Sequence, residues 1–245
     1  MNAEVKPSHF WDSTGRARAF ADRAGHLLTR VDCRRADDSA QQGAISRLRY
    51  QAYLREGAIS PNPSGQFSDH YDETDNAYLF VLYVDGELAS SLRVHVTSEE
   101  RLKLPSLEVF PEHLQPEFDA GKVLVDTTHF VADEKLSRLH RDLPYVTFRI
   151  CMLAAEYFSA DHCLVAVQPE HQAFYRRAFN YRVVCEPRPY PQLTKPLSLM
   201  ALHFPSAADE LYRKYPFFRS SSFERRRLFE RPERGALSKC ELAIS

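Results

Sequence analysis

Residues 68–97 read SDHYDETDNAYLFVLYVDGELASSLRVHVT. Two runs rich in aromatic and β-branched residues flank Asp85-Gly86, and Asp-Gly in that setting is the strongest short-range signal for a β-hairpin. Asp69, Asp72 and Asp75 stand in the polar segment that leads into the hairpin, and Arg93 sits on its second strand. Carboxylates delivered by a loop to an arginine on a strand make a candidate site on a rigid scaffold.

The acids close a long loop, AISPNPSGQFSDHYDETDN, residues 58–76. Ordinary connections run about 4–6 residues, and much longer ones tend to be functional or disordered. Before it, Ile45, Leu48, Ala52 and Tyr53 recur at helical spacing, with Asp38 or Ser39 as cap and Gly57 as stop. His26 to Cys33 alternates as a first strand would. Residues 1–25 are read as an N-terminal extension, with a short helix or arm as the alternative.

After the hairpin, EVFPEHLQPEF is partly helical in pattern, and Lys122 to Ala132 reads as a strand. DEKLSRLHR is a charged connection. From Leu143 to Phe158 apolar residues trace one face of a helix that Asp142 is placed to cap. His162–Val167, Tyr181–Cys185 and Leu197–Phe204 read as strands, Pro169 opens a helix through Phe179, and Ser206-x-x-Asp209 resembles a capping box. A hairpin followed by βαβ units implies an α/β (α+β) fold: a mixed sheet with helices on both faces. The domain is expected over 26–218, with an arginine-rich, peripheral tail over 219–245.

The 245 residues carry a net charge of −1 with 27% charged, so nothing global points to nucleic acid or membrane. No apolar run reaches the roughly 20 residues of a membrane-spanning helix. The start lacks an apolar h-region, so no secretory signal is expected. Cys33, Cys151, Cys163, Cys185 and Cys240 are scattered without CxxC, as reduced thiols of a cytoplasmic protein would be. Ten histidines contain no HxxxH or HExxH pairing, so no metal site is expected.

Several of these residues, in this order, resemble the GNAT-fold N-acyl amino acid synthases of the FeeM type, relatives of the LuxI-type acyl-homoserine lactone synthases. The resemblance runs from about Arg47 to Val184. It rests on Arg49 with Tyr53 four residues on, Asp69-x-x-Asp72, Arg93, and Val125-Asp-Thr-Thr-His-Phe130. The last of these aligns with a strand reading E-x-x-R-F in the lactone synthases. Tyr175-x-x-x-Phe179 resembles the Tyr-x-x-x-Gly-Phe end of many GNAT domains. Two departures stand out. No glycine lies between Gly121 and Gly235, so the glycine-rich pyrophosphate loop of acetyl-CoA users is missing. His129 replaces the lactone-synthase arginine.

The resemblance implies a GNAT-like, mostly antiparallel sheet and an acyltransferase. A medium or long acyl chain would pass from an acyl-carrier-protein or acyl-CoA thioester to an amino acid's amine, with no tightly bound cofactor. An acyl-homoserine lactone synthase and a non-catalytic GNAT-like acyl-binding module are the alternatives. Asp126 is then the first candidate for base, or a carboxylate paired for stability. Tyr175 is a candidate acid towards the leaving sulfur, or a core aromatic. The backbone at Thr127, Thr128 and His129 would face the oxyanion. Asp69 and Asp72 would bind the acceptor's ammonium, hold arginines, or form Asx turns. Arg49 and Arg93 would clamp its carboxylate or form structural ion pairs. Tyr53 belongs to the same binding set. Phe130, Phe148, Cys151 and Tyr157 would line an acyl tunnel or the ordinary core. Arg138, Arg141, Arg176, Arg177 and Arg225–Arg227 are candidate docking cations for an acidic carrier protein.

Overall fold

A computed structural model describes residues 10–97 and 104–231. The chain begins α1 (Phe10–Leu28), β1 (Val31–Arg35) and α2 (Ser39–Arg55), then forms the hairpin β2 (Ala77–Val84) and β3 (Glu87–Val96). Two short helices, α3 (Pro105–Val109) and α4 (Pro111–Asp119), lead to β4 (Leu124–Ala132). Next come α5 (Glu134–Leu139), α6 (Leu143–Tyr157), β5 (His162–Val167) and α7 (Gln172–Phe179). The two-residue β6 (Arg182–Val183), β7 (Ser198–His203), α8 (Phe204–Lys214) and α9 (Ser222–Phe229) close the chain.

The strands form one mixed sheet in the order β1-β2-β3-β4-β5-β7-β6, parallel only between β4 and β5. Asp85 and Gly86 both take positive φ, 51° and 86°, the turn that a right-twisted two-residue hairpin needs. Alternation along β2 sends Tyr78, Phe80 and Leu82 into the main core, where α6 through α9 pack, and Leu79 and Val81 towards α2. Helices therefore cover both faces. α6 is apolar nearly all round because its neighbours enclose it.

Two irregularities shape the middle of the sheet. β4 pairs with β5 only from Leu124–His162 to Thr127–Val165, and then continues unpaired on that side to Ala132. On the other side, Arg93 faces Thr128 and Ser91 faces Val131, so His129 and Phe130 together oppose Leu92. That is a β-bulge, and His129 sits in it at φ 50°.

Several elements differ from the sequence reading. His26 is helical and not the start of a strand: α1 continues to Leu28, crosses the 25/26 boundary, and packs Phe20 against Tyr145 at 4.7 Å. DEKLSRLHR contains α5, whose cap is Asp133, accepting from Leu136 N at 2.9 Å. Asp142 makes no side-chain cap and instead pairs with Arg23 at 3.2 Å. Ser206 caps nothing as an N-cap, since α8 already starts at Phe204-Pro205 and the Ser206 hydroxyl turns back to His203 O.

The tail is not peripheral over its first part: Leu228 and Phe229 are buried in the main core. Arg149 of α6 holds it there, donating to Phe217 O at 2.6 Å and Arg219 O at 2.8 Å and pairing with Glu224. The remainder of that expected tail (232–245, with Cys240) and the first nine residues lie outside the described residues.

Candidate active site

On α2, Ile45, Leu48, Arg49 and Ala52 fall on the buried face, which carries the Arg49 guanidinium wholly out of solvent. A buried charge needs a partner. Asp72 provides it from a 3₁₀ turn (His70–Glu73) at the end of the long loop, accepting from Arg49 Nη1 at 2.9 and 2.7 Å. Asp69 caps that turn by accepting from Tyr71 N at 3.0 Å.

Arg93, fully buried on β3, joins both acids. Its Nη1 donates to Asp69 and, at 2.8 Å, to Asp72. Its Nη2 reaches Asp69 at 3.1 Å, and its Nε reaches Thr128 Oγ1 at 3.0 Å. Burial alone would raise the two carboxyls. For Asp69 the His129 and Arg93 bonds outweigh it, and for Asp72 the two arginines do, so both stay below the usual carboxylate range. Arg93 has each guanidinium nitrogen engaged. Among the described residues Arg49 leaves Nε and Nη2 buried without a partner.

His129 continues this network through the bulge. Its Nε2 is 2.8 Å from Asp69 Oδ2 and its Nδ1 is 2.8 Å from the Tyr53 hydroxyl. Burial, then the Arg93 and Arg49 charges, push the imidazole down to about 3, so it is neutral at pH 7. An ionised carboxylate only accepts. Nε2 therefore carries the proton, Nδ1 accepts from the Tyr53 O–H, and the Tyr53 oxygen keeps lone pairs for a further donor. Phe67 packs edge-on against both rings, at 5.1 Å from Tyr53 and 5.6 Å from His129.

Asp126 stands apart from this cluster. It is wholly buried and holds Ser106 of α3, accepting from its N and Oγ at 2.9 Å each. Burial raises its carboxyl to about 6, against the lowering effect of those two bonds and of Arg93. Ser106 was not found from sequence, although Pro105-Ser106 at a helix start was the available signal.

Where β4 leaves β5, a groove of about 300 Å³ opens between α2 and α7. Phe130, Ala132 and Tyr175 line it, with Pro144 at the start of α6 and Arg55 and His171 at its rim. Burial keeps the Tyr175 phenol above its ordinary value, hence protonated. Thr127 and Thr128 are buried on β4 beside the opening.

Phe148 does not line this groove: it is fully buried and stacked on Phe179 at 4.5 Å. Cys151 is buried in the same core, and Tyr157 stacks on Phe229 at 5.6 Å, so of the expected tunnel residues only Phe130 lines the groove. Arg138 is exposed and paired with Glu134, while Arg141 borders a hollow of about 680 Å³ with Arg23, His26 and Arg30 of the α1 end. Glu112, His113 and Cys185 come together at the surface, a grouping the sequence did not suggest, but Arg188 already bonds Cys185 Sγ at 2.8 Å and Glu112 at 2.5 Å.

Residues 44–203 match the family described as N-acyl amino acid synthase FeeM. No curated protein matches the chain. Among solved structures, FeeM, an N-acyl amino acid synthase from uncultured soil microbes, is 18% identical with a TM-score of 0.63, over 76% of this chain and 97% of its own. The acyl-homoserine lactone synthase LasI is 16% identical with a TM-score of 0.51, over 70% and 88%. BjaI, a CoA-dependent acyl-homoserine lactone synthase, is 12% identical with a TM-score of 0.52, over 76% and 89%. At these identities the structures speak for the shared GNAT-like fold.

Proposed function

The chain belongs to the FeeM family of N-acyl amino acid synthases and is an N-acyltransferase, and on that premise we propose that it moves a medium or long fatty acyl group from a carrier-protein thioester to the α-amine of an amino acid. The observation that carries this reading is the parting of β4 from β5 after Thr127, beside a buried acid–arginine cluster and above a groove that reaches Tyr175. A thioester laid along β4 would bring its carbonyl to the bulge at His129. There the extra residue leaves the ladder, and its N–H, with the one of Thr127 and Thr128 that points to the same edge, can face the oxyanion.

The acceptor's amine arrives mainly as ammonium, since α-amino pKa values lie near about 8. Tyr53, held as a donor towards His129, offers oxygen lone pairs to that ammonium. Arg49 Nε and Nη2 are the donors left for its carboxylate once the loop that carries Asp69 and Asp72 moves aside to expose them, because Arg93 is committed to Asp69, Asp72 and Thr128. Asp126, at about 6, is poised to take a proton near neutrality once Ser106 gives up one bond. Tyr175 is the neutral acid for the departing thiolate. Asp69 and Asp72 act by holding the arginines and His129.

Arg138 and Arg141 lie on and just after α5, between the groove-lining residues Ser137 and Pro144, and suit an acidic carrier protein. Acyl-CoA is the second donor to try, because BjaI is a CoA-dependent synthase. Among the described residues no helix is long and apolar enough to cross a membrane, and Cys33, Cys151, Cys163 and Cys185 are free thiols. We place the enzyme in the cytoplasm on that account.

Mass spectrometry of organic extracts tests the reaction. Bacteria overexpressing the chain should accumulate N-acyl amino acids spaced by acyl length, and an Asp126→Asn control should not. No new lipid from folded, soluble wild-type protein overturns the proposal.

A further inference from the structure

A further cavity, of about 460 Å³, lies on another flank of α6, under α9. Val146, Ile150 and Leu153, at i, i+4 and i+7, turn one stripe of α6 towards it, and Leu82 of β2 continues the apolar floor. Leu28, Val31 and Cys33 form a wall, and α9 is the roof. It shares no lining residue with the groove at Tyr175. A small apolar cluster built on Leu27, Val84 and Leu136 touches the linings of both. Wall and roof lie outside residues 44–203, so this cavity is built by parts of the chain that flank the family match.

Protein interiors leave few voids larger than a water molecule. A mostly apolar cavity of this size falls within the range of about 300–1,000 Å³ that ligand pockets occupy. Apolar cavities take apolar guests more readily than ordered water. The rim specifies the other end of the guest. Asp32 is paired with Arg34, and Glu224 is paired with Arg149. Arg227 of α9 is exposed and makes no hydrogen bond or ion pair among the described residues, although it feels the Asp32 charge. A mostly apolar hole with a cation at its mouth that no carboxylate bonds directly fits an amphiphile with an anionic head.

We propose that the cavity between α1, β1, α6 and α9 is a second ligand site, taking an alkyl carboxylate with its chain on the α6 stripe and its head at Arg227. A free fatty acid and an N-acyl amino acid share this chemistry. The proposal does not rest on the transferase reading, because binding is measured without turnover.

The test is calorimetric titration of the full chain with dodecanoate, N-dodecanoylglycine and dodecanol, below their micellar concentrations. Wild type should bind dodecanoate saturably. Arg227→Glu, a substitution at an exposed position, should weaken dodecanoate about three- to tenfold and leave dodecanol unchanged. Tighter binding of N-dodecanoylglycine than of dodecanoate identifies the acyl amino acid as the source, and the reverse identifies the fatty acid. No saturable binding by wild type overturns the site. So does binding that is indifferent to Arg227→Glu.

Discussion

His129 Nε2 lies 2.8 Å from Asp69 Oδ2, across sixty residues of sequence, and that one bond fixes which way every proton in the network points. His129→Ala removes the donor to Asp69 and the acceptor for Tyr53, and unpaired buried polar groups cost about 1–3 kcal/mol each. Urea denaturation should show a loss of that order. His129→Asn should keep the φ 50° backbone that His129→Val cannot, with valine worse by a further ~1 kcal/mol or more.

Arg93→Ala should be the most damaging single change in the cluster. It strips partners from two buried carboxylates and from Thr128, and breaking a buried ion pair typically costs about 3–5 kcal/mol. Arg93→Lys should not rescue it, because a single ammonium cannot reproduce the fork that meets Asp69, Asp72 and Thr128 together. Thermal melts of the two variants should fall close together, well below wild type.

Asp126 makes stability fall with rising pH. Its folded-state value of about 6 exceeds the ordinary 3.8, so the native state holds the extra proton between those limits. Its contribution is full below about pH 4 and lost as pH passes 6, a swing on the order of 3 kcal/mol. Asp69 and Asp72, lowered, act oppositely: their stabilisation is present above pH 3.8 and lost below it. Asp126→Asn should flatten the pH 4–6 slope in urea titrations while leaving the acid limb, and the wild-type pH–rate profile should show a limb near 6.

Arg138→Glu with Arg141→Glu should raise KM for a carrier-protein thioester several-fold at low salt and have little effect at high salt. The same pair should leave KM for a short pantetheine thioester unchanged. A loss of kcat with both donors would assign these arginines to the fold instead of to docking.

The hairpin was legible because Asp85-Gly86 states its own geometry, and Arg49, Asp69, Asp72 and Arg93 were legible because they recur at spacings that resemble a known family. The partnership of Asp126 with Ser106 was not. Twenty residues separate them, and nothing local to either names the other. His129 read as the loss of an arginine, and only the bulge shows it replacing charge with a directed hydrogen-bond chain. α1 read as an extension with a short helix or arm only as the alternative, because Gly15 and Gly25 interrupt its pattern, and tertiary contacts through Phe20 and Leu27 override that weakness. α5 was missed because its charges masked the Asp133 cap.

Arg149 also sets a timetable. Its partners Phe217, Arg219 and Glu224 follow it by 68 to 75 residues, and Phe218, Leu228 and Phe229 complete the same core. While the chain is being synthesised, α6 holds a cation with nothing to receive its protons until the last helix has been made. The whole sheet can be present by then and still not close. The main core is therefore expected to close only once residues 217–229 can reach Arg149, well after the strands that surround it have been made.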